Sequence, residues 1–152
     1  MKLKIFASIT LMLCFYASVN PQSMSVLNYV NELGDRKQAT FGDIVTLLVL
    51  DMGEKTLGFE SDLSVLNVRN KIAAGYNLRE NAPLRKGAAA RLIARYLRLS
   101  DSLMYNIFGT ERYAYRACVA AGIMIADGSE WDYVGGEELL EIMRRVSIIS
   151  GV

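Results

Sequence analysis

Residues 69–96 read RNKIAAGYNLRENAPLRKGAAARLIARY, and residues 116–146 read RACVAAGIMIADGSEWDYVGGEELLEIMRRV. Each starts with Arg, passes three residues to Ala-Ala-Gly, crosses a loop and ends in an amphipathic, basic stretch. Arg69, Ala74 and Gly75 match Arg116, Ala121 and Gly122 at a constant offset of 47. The second stretches, LRKGAAARLIARYLRL and VGGEELLEIMRRVSII, match at an offset of 50, and TFGDIVTLLVLDMG matches the first of these at 44. SVLNYVNELG, ending at Leu33-Gly34, is a weaker copy of the opening stretch. Shared register over two stretches and a loop predicts three diverged helix-loop-helix units.

Helices are the expected content of every unit. Leu and Ala are the commonest residues and Arg is frequent, proline is confined to Pro21 and Pro83, and apolar residues recur every three to four positions. Thr40 is placed to cap the first amides of a helix, with Asp43 answering as the acid of a capping box. That helix carries Ile44, Leu47 and Leu48 to Gly53. Ala88, Ala89, Leu92, Ile93, Tyr96 and Leu99 line one face of a helix from Leu84 to Leu99, with Arg91, Arg95 and Arg98 opposite. Asp62–Ala74 and Glu111–Ala121 are expected helices, closed by Gly75 and Gly122 in a left-handed conformation. Glu137–Val146 is another, and SDSLMYNIFG reads as a short extra helix. The expected fold is all-α: a compact bundle of about six helices in three pairs, with Leu92 in the core.

The chain opens MKLKIFASITLMLCFYASVNPQS, where Lys2 and Lys4 precede an apolar run ended by Asn20-Pro21. That layout predicts a secretory leader or retained N-terminal anchor over residues 1–22, a single helical domain over 23–152, and export to the periplasm or cell envelope. The run is short for a membrane span. Cys14 follows Leu11-Met12-Leu13, a bulky approach for lipoprotein processing, so simple cleavage or anchoring is favoured over lipidation.

Composition narrows the chemistry. The chain has 17 Lys and Arg against 16 Asp and Glu, and without Lys2 and Lys4 the balance is 15 to 16. With no histidine, His acid–base catalysis and His metal ligation are excluded. Only Cys118 lies outside the leader, so no internal disulfide is expected there. As a calcium loop, Asp127 to Glu138 fails: Trp131 stands where an oxygen donor belongs and Asp132 where glycine makes the turn. No metal or other cofactor is expected. No glycine-rich phosphate loop or nucleophile–base pair appears, and the spacing of Glu111, Asp127 and Glu130 does not by itself support a glycan-cleaving carboxylate pair. The expectation is a protein that is not an enzyme.

The units resemble the S-layer homology module of bacterial envelope proteins. The closest segment has Ala121-Gly122-Ile123, Asp127-Gly128, Trp131, Val134 and Gly136-Glu137-Glu138, and the middle unit has Ala74-Gly75-Tyr76 followed by Leu84-Arg85-Lys86-Gly87-Ala88. The resemblance implies three helical units about a shared axis and attachment to anionic cell-wall polymer through the arginine of a Thr-Arg-Ala-Glu-like tetrad. Arg85 is the one arginine aligned with that position; Phe41 or Gly42 and Gly135 stand there in the other units.

Two partner chemistries follow. An anionic wall polymer or peptidoglycan-associated glycan would use Arg85, Lys86, Arg91 and Arg95, part of a run of eight bases and one acid between Arg69 and Arg98. An envelope protein would use Trp131 and Tyr133, with Asp127 in the same loop. Two of the three arginines being absent favours the protein. The basic run lacks the aromatic interleaving of a single-strand nucleic-acid track, so nucleic acid is not an expected partner. Membrane contact is expected only through a retained leader. Arg69, Gly75, Arg116 and Gly122 are expected to be structural, the arginines capping carbonyls or pairing with an acid between units.

Overall fold

The computed structural model describes residues 21–70, 79–99 and 109–151. Residues 1–20 of the expected leader, Ala74-Gly75-Tyr76 and nearly all of the expected short extra helix lie outside them. Six α-helices occupy the described residues: α1 Pro21–Gly34, α2 Phe41–Asp51, α3 Phe59–Asn70, α4 Lys86–Tyr96, α5 Glu111–Ala120 and α6 Gly136–Ser150. Two isolated β-bridges are present among them and no strand. No helix among the described residues is long and apolar enough to cross a membrane.

The chain divides into two compact units, Met1–Glu32 and Leu33–Val152. In the first, the body of α1 is helical and largely exposed where its side chains are described, Leu27 included. The second holds α2 to α6 and the core. α2 packs on α3 and on α6, and α4 packs on α5.

Three of these helices start from one closed backbone ring. The Ala39 N–H donates to Val134 O (2.8 Å), Val134 N–H to Leu84 O (2.9 Å), and Leu84 N–H to Ala39 O (2.9 Å). Ala39, Leu84 and Val134 each precede a helix cap: Thr40, Arg85 and Gly135. The ring makes these positions equivalent as the starts of α2, α4 and α6. It also corrects one offset. Ala39 pairs with Leu84 across 45 residues rather than 44, so Lys86, not Arg85, stands opposite Phe41, while the offset of 50 to Gly136 is unchanged. Glycine permits the close approach this requires. A Cβ on Gly136 would lie 1.7 Å from Leu33 O, and one on Gly87 would lie 2.9 Å from Glu130 O.

The far ends of the same helices also meet. Asp51, buried at the end of α2, accepts from Tyr96 Oη at 2.6 Å, from Ser150 Oγ at 3.2 Å, and from Ser147 Oγ. A buried carboxylate is costly unless hydrogen-bonded, and three hydroxyls meet that need. Burial, with Asp51 alongside, pushes the Tyr96 phenol above the usual tyrosine range.

Local signals explain the helix boundaries. Thr40 and Asp43 form the full capping box, with Thr40 N–H to Asp43 Oδ2 at 2.8 Å and Asp43 N–H to Thr40 Oγ1 at 3.3 Å. Gly53 and Gly122 take φ of +72° just beyond α2 and α5. In both, the next residue's N–H returns to the last turn, Glu54 to Val49 O and Ile123 to Cys118 O, which completes a Schellman motif. α4 ends the same way with a non-glycine: Arg98 sits at φ +51° while Leu99 N–H reaches Ala94 O. α6 runs on to Ser150 rather than stopping at Val146, because Gly151 supplies its left-handed cap. Leu92 is fully buried, as its place on the apolar face of α4 predicts.

Candidate interaction site

The loop between α5 and α6 carries the most distinctive surface. Ile123 and Met124 bury its first residues, and Tyr115 Oη holds Ile125 O at 2.9 Å. Ser129 and Asp132 close a turn: Ser129 N–H donates to Asp132 Oδ2 (2.8 Å) and Asp132 N–H to Ser129 O (3.1 Å). The start of α4 then grips the loop. Lys86 N–H reaches Asp132 O (2.8 Å), and Gly87 N–H reaches Glu130 O (2.9 Å). These helix-start amides have no side-chain cap, so loop carbonyls serve as their acceptors.

Lys86 clamps the loop a second time. Its side chain is 8% exposed, and Nζ lies 2.8 Å from Asp127 Oδ1 and 2.9 Å from Glu138 Oε1. Burial alone would lower the ammonium pKa, but the bonds and charges of the two carboxylates overcome it and raise the pKa. Lys86 in turn holds the Asp127 carboxyl below its usual range. Burial pushes the Tyr115 phenol up beside this cluster, and the Lys86 charge opposes the shift. Lys86 and Asp127, both expected at a partner surface, spend their charges on each other and on Glu138.

Held in this way, the loop projects two rings beside Arg85. Trp131 is 62% exposed and Tyr133 46% exposed. The Arg85 guanidinium carbon lies 5.5 Å from the Trp131 ring centroid and 5.7 Å from that of Tyr133, within cation–π range. The sequence assigns Arg85 and the aromatic pair to different partners; the fold makes them one patch. Arg85 and Tyr133 also face each other across an antiparallel bridge, a pairing of residues 48 apart that local spacing does not reveal.

The other expected residues are placed variously. Arg91 lines an open cavity of about 610 Å³ with Gly109, Thr110, Glu111, Arg112, Glu130 and Trp131. Arg95 lies half-buried on α4. Arg69 pairs with Glu54 at 2.6 Å, whereas its repeat counterpart Arg116 is exposed. Gly122 caps α5, and Gly75 lies outside the described residues. A second cavity, about 360 Å³, has Ile123, Ile125 and Ile142 in its wall with Asp127, Glu137, Glu138, Glu141 and Arg145. Its acids are largely committed: Arg144 and Arg145 hold the Glu141 carboxyl down to about 2. Among the described residues no group of three or more acid or cysteine side chains is arranged to hold a metal ion.

Comparison with protein-family models, with curated proteins and with solved structures finds no match for this chain.

Proposed function

We propose that the chain is a non-catalytic interaction module of the cell envelope that binds a protein partner through Arg85, Trp131 and Tyr133. One observation carries the reading: two exposed aromatic rings, on a loop fixed by hydrogen bonds and ion pairs to the start of α4, lie against a guanidinium. Trp, Tyr and Arg are the residues that most often dominate protein interfaces, and a preformed loop loses little entropy on binding. The lysine-led leader supports export. The closed ring of helix starts supports three related units and, with them, likeness to the S-layer homology module. Counted from the helix cap, with Thr40 as the tetrad's threonine, the arginine position falls to Lys86, whose ammonium is occupied by two carboxylates. This weighs against the polymer-binding use of that position.

A glycan ligand is the second reading, favoured by the cavity in which Trp131 meets Arg91, Arg112, Glu111 and Glu130. Crosslinking in intact envelopes separates the two, using wild type, Trp131→Ala and Arg85→Ala with mass-spectrometric identification and reconstitution of the captured protein. The expected result is one stoichiometric protein partner, lost with Trp131→Ala and weakened with Arg85→Ala. Retention of envelope glycan that either substitution abolishes, without a protein partner, reverses the order. Turnover of that glycan by the purified chain defeats both readings.

A further inference from the structure

We propose that the partner meets this patch as an extended peptide segment carrying a carboxylate, which pairs with Arg85 while the segment's backbone aligns along Tyr133. The inference rests on the protein-binding reading and adds the chemistry of what is bound. Residues 130–133 read Glu-Trp-Asp-Tyr: Ser129 to Asp132 close a turn, and Tyr133 follows it in the bridge to Arg85. Trp131 and Tyr133 both lie against Arg85, while Asp132 turns back to its own loop and accepts the Ser129 N–H. Among the described residues no carboxylate lies within ion-pair distance of Arg85. The guanidinium sits against both rings, and its charge is left for a ligand. A guanidinium so fixed suits a carboxylate, which it can bind through two parallel N–H bonds.

The backbone points to the same occupant. On the side facing α4, Asp132 O and Val134 N–H are taken by Lys86 and Leu84. In an antiparallel bridge the intervening residue's groups point the other way. Neither the N–H nor the C=O of Tyr133 has a hydrogen-bond partner among the described residues. An exposed residue with both groups open beside an existing bridge can take one more extended strand. The segment's main chain would supply the Tyr133 bonds, and its acid would reach Arg85.

The test is selection from a randomised displayed heptapeptide library on wild type, Arg85→Gln and Trp131→Ala, followed by titration of the selected peptide into isotope-labelled protein. On wild type, one position is expected to enrich in Asp or Glu. Replacing that acid by its amide should weaken binding about tenfold or more, the scale of a charge-assisted pair. The enrichment should vanish on Arg85→Gln, and the Tyr133 amide and Trp131 indole resonances should shift together. Glucuronate, a carboxylate on a sugar, should leave both unmoved at matched concentration. Selection without acid preference, enrichment that survives Arg85→Gln, an unmoved Tyr133 amide, a response to glucuronate, or no selected peptide would each overturn the proposal. A protein crosslinked through Trp131 would still stand in any of those cases except the response to glucuronate, so the two failures are distinguishable.

Discussion

Lys86→Met is the sharpest perturbation of the clamp. Methionine keeps the buried stem and removes the ammonium, leaving Asp127 and Glu138 without their cation at the start of α6. Breaking a fully buried pair costs about 3–5 kcal/mol. Here the partners are 53% and 36% exposed, so water recovers part of that, and we expect a loss of about 1.5–3 kcal/mol. In urea that moves the midpoint down by about 1 M for a slope near 2 kcal/mol/M. Trp131, the single tryptophan, sits on the clamped loop, so its fluorescence reports the loop while circular dichroism reports the helices. The fluorescence transition is expected to precede the helical one in the variant and to coincide with it in wild type. The folded Asp127 pKa is lowered, so its contribution is present above the unfolded carboxylate range and fades as pH falls through the folded value. The folded Lys86 pKa is raised, so its contribution is complete below 10.5 and fades only above it. The difference between wild type and variant should therefore be flat from about pH 5 to 10 and shrink below about pH 4. Adding Asp127→Asn and Glu138→Gln to the methionine variant should restore most of the loss, since no charge is then left unpaired. A loss under about 0.5 kcal/mol, or one independent of pH down to 3, would refute the clamp.

Arg98→Gly should stabilise by about 0.5–1 kcal/mol in chemical denaturation, because Arg98 occupies a left-handed position that glycine adopts without strain; destabilisation would mean its side chain holds something. Leu92→Ala should cost about 2–5 kcal/mol by the same measurement, as expected for a fully buried leucine. Tyr96 should ionise after the exposed tyrosines in an alkaline ultraviolet titration, and Asp51→Asn should bring it back toward them, since burial and Asp51 together disfavour the phenolate. In a Cys14→Ser background, Cys118 should resist thiol reagents at pH 8 and react fully in denaturant, because burial pushes its thiol up to about 12.

Much of the architecture is legible in the sequence because it is written in local terms. Thr40-Phe41-Gly42-Asp43 announces a capped start within four residues, and Gly53 and Gly122 announce left-handed stops. The apolar face of α4 follows from spacing alone, Leu92 included. Gly135-Gly136 before an acidic turn marks the start of α6, although the steric reason, Leu33 O pressed against Gly136, lies a hundred residues away. Features that depend on distant pairing are not legible in this way. Nothing near Lys86 says that Asp127 and Glu138 will enclose it, so it reads as one more base in a positive run. Nothing near Asp51 names Tyr96, Ser147 and Ser150. The one-residue error in the repeat offset has the same origin: side-chain identities align Thr40 with Leu84, while backbone hydrogen bonds align Ala39 with Leu84. Arg85 and Trp131 are each legible as candidate binding residues, but their union depends on pairing across 46 residues that the backbone ring brings about.

That ring gives one backbone plan to three helix starts, and the side chains then make each different. α2 begins with threonine at its cap and aspartate three residues on, and Arg36 pairs with that aspartate at 3.0 Å. α6 begins with glycine, and Glu138 both accepts the Gly135 N–H and meets Lys86. Stability alone accounts for both arrangements. The start of α4 departs from the local rules: arginine stands where an oxygen-bearing cap is favoured, and a lysine is buried at the positive end of the helix. Both departures serve one result. The uncapped amides and the buried ammonium seize the same loop, and the displaced arginine is left outside against that loop's two aromatic rings. Sequences tend to break local rules where function requires it. Of the three starts, this one breaks them together, and the surface it creates is the one proposed to bind.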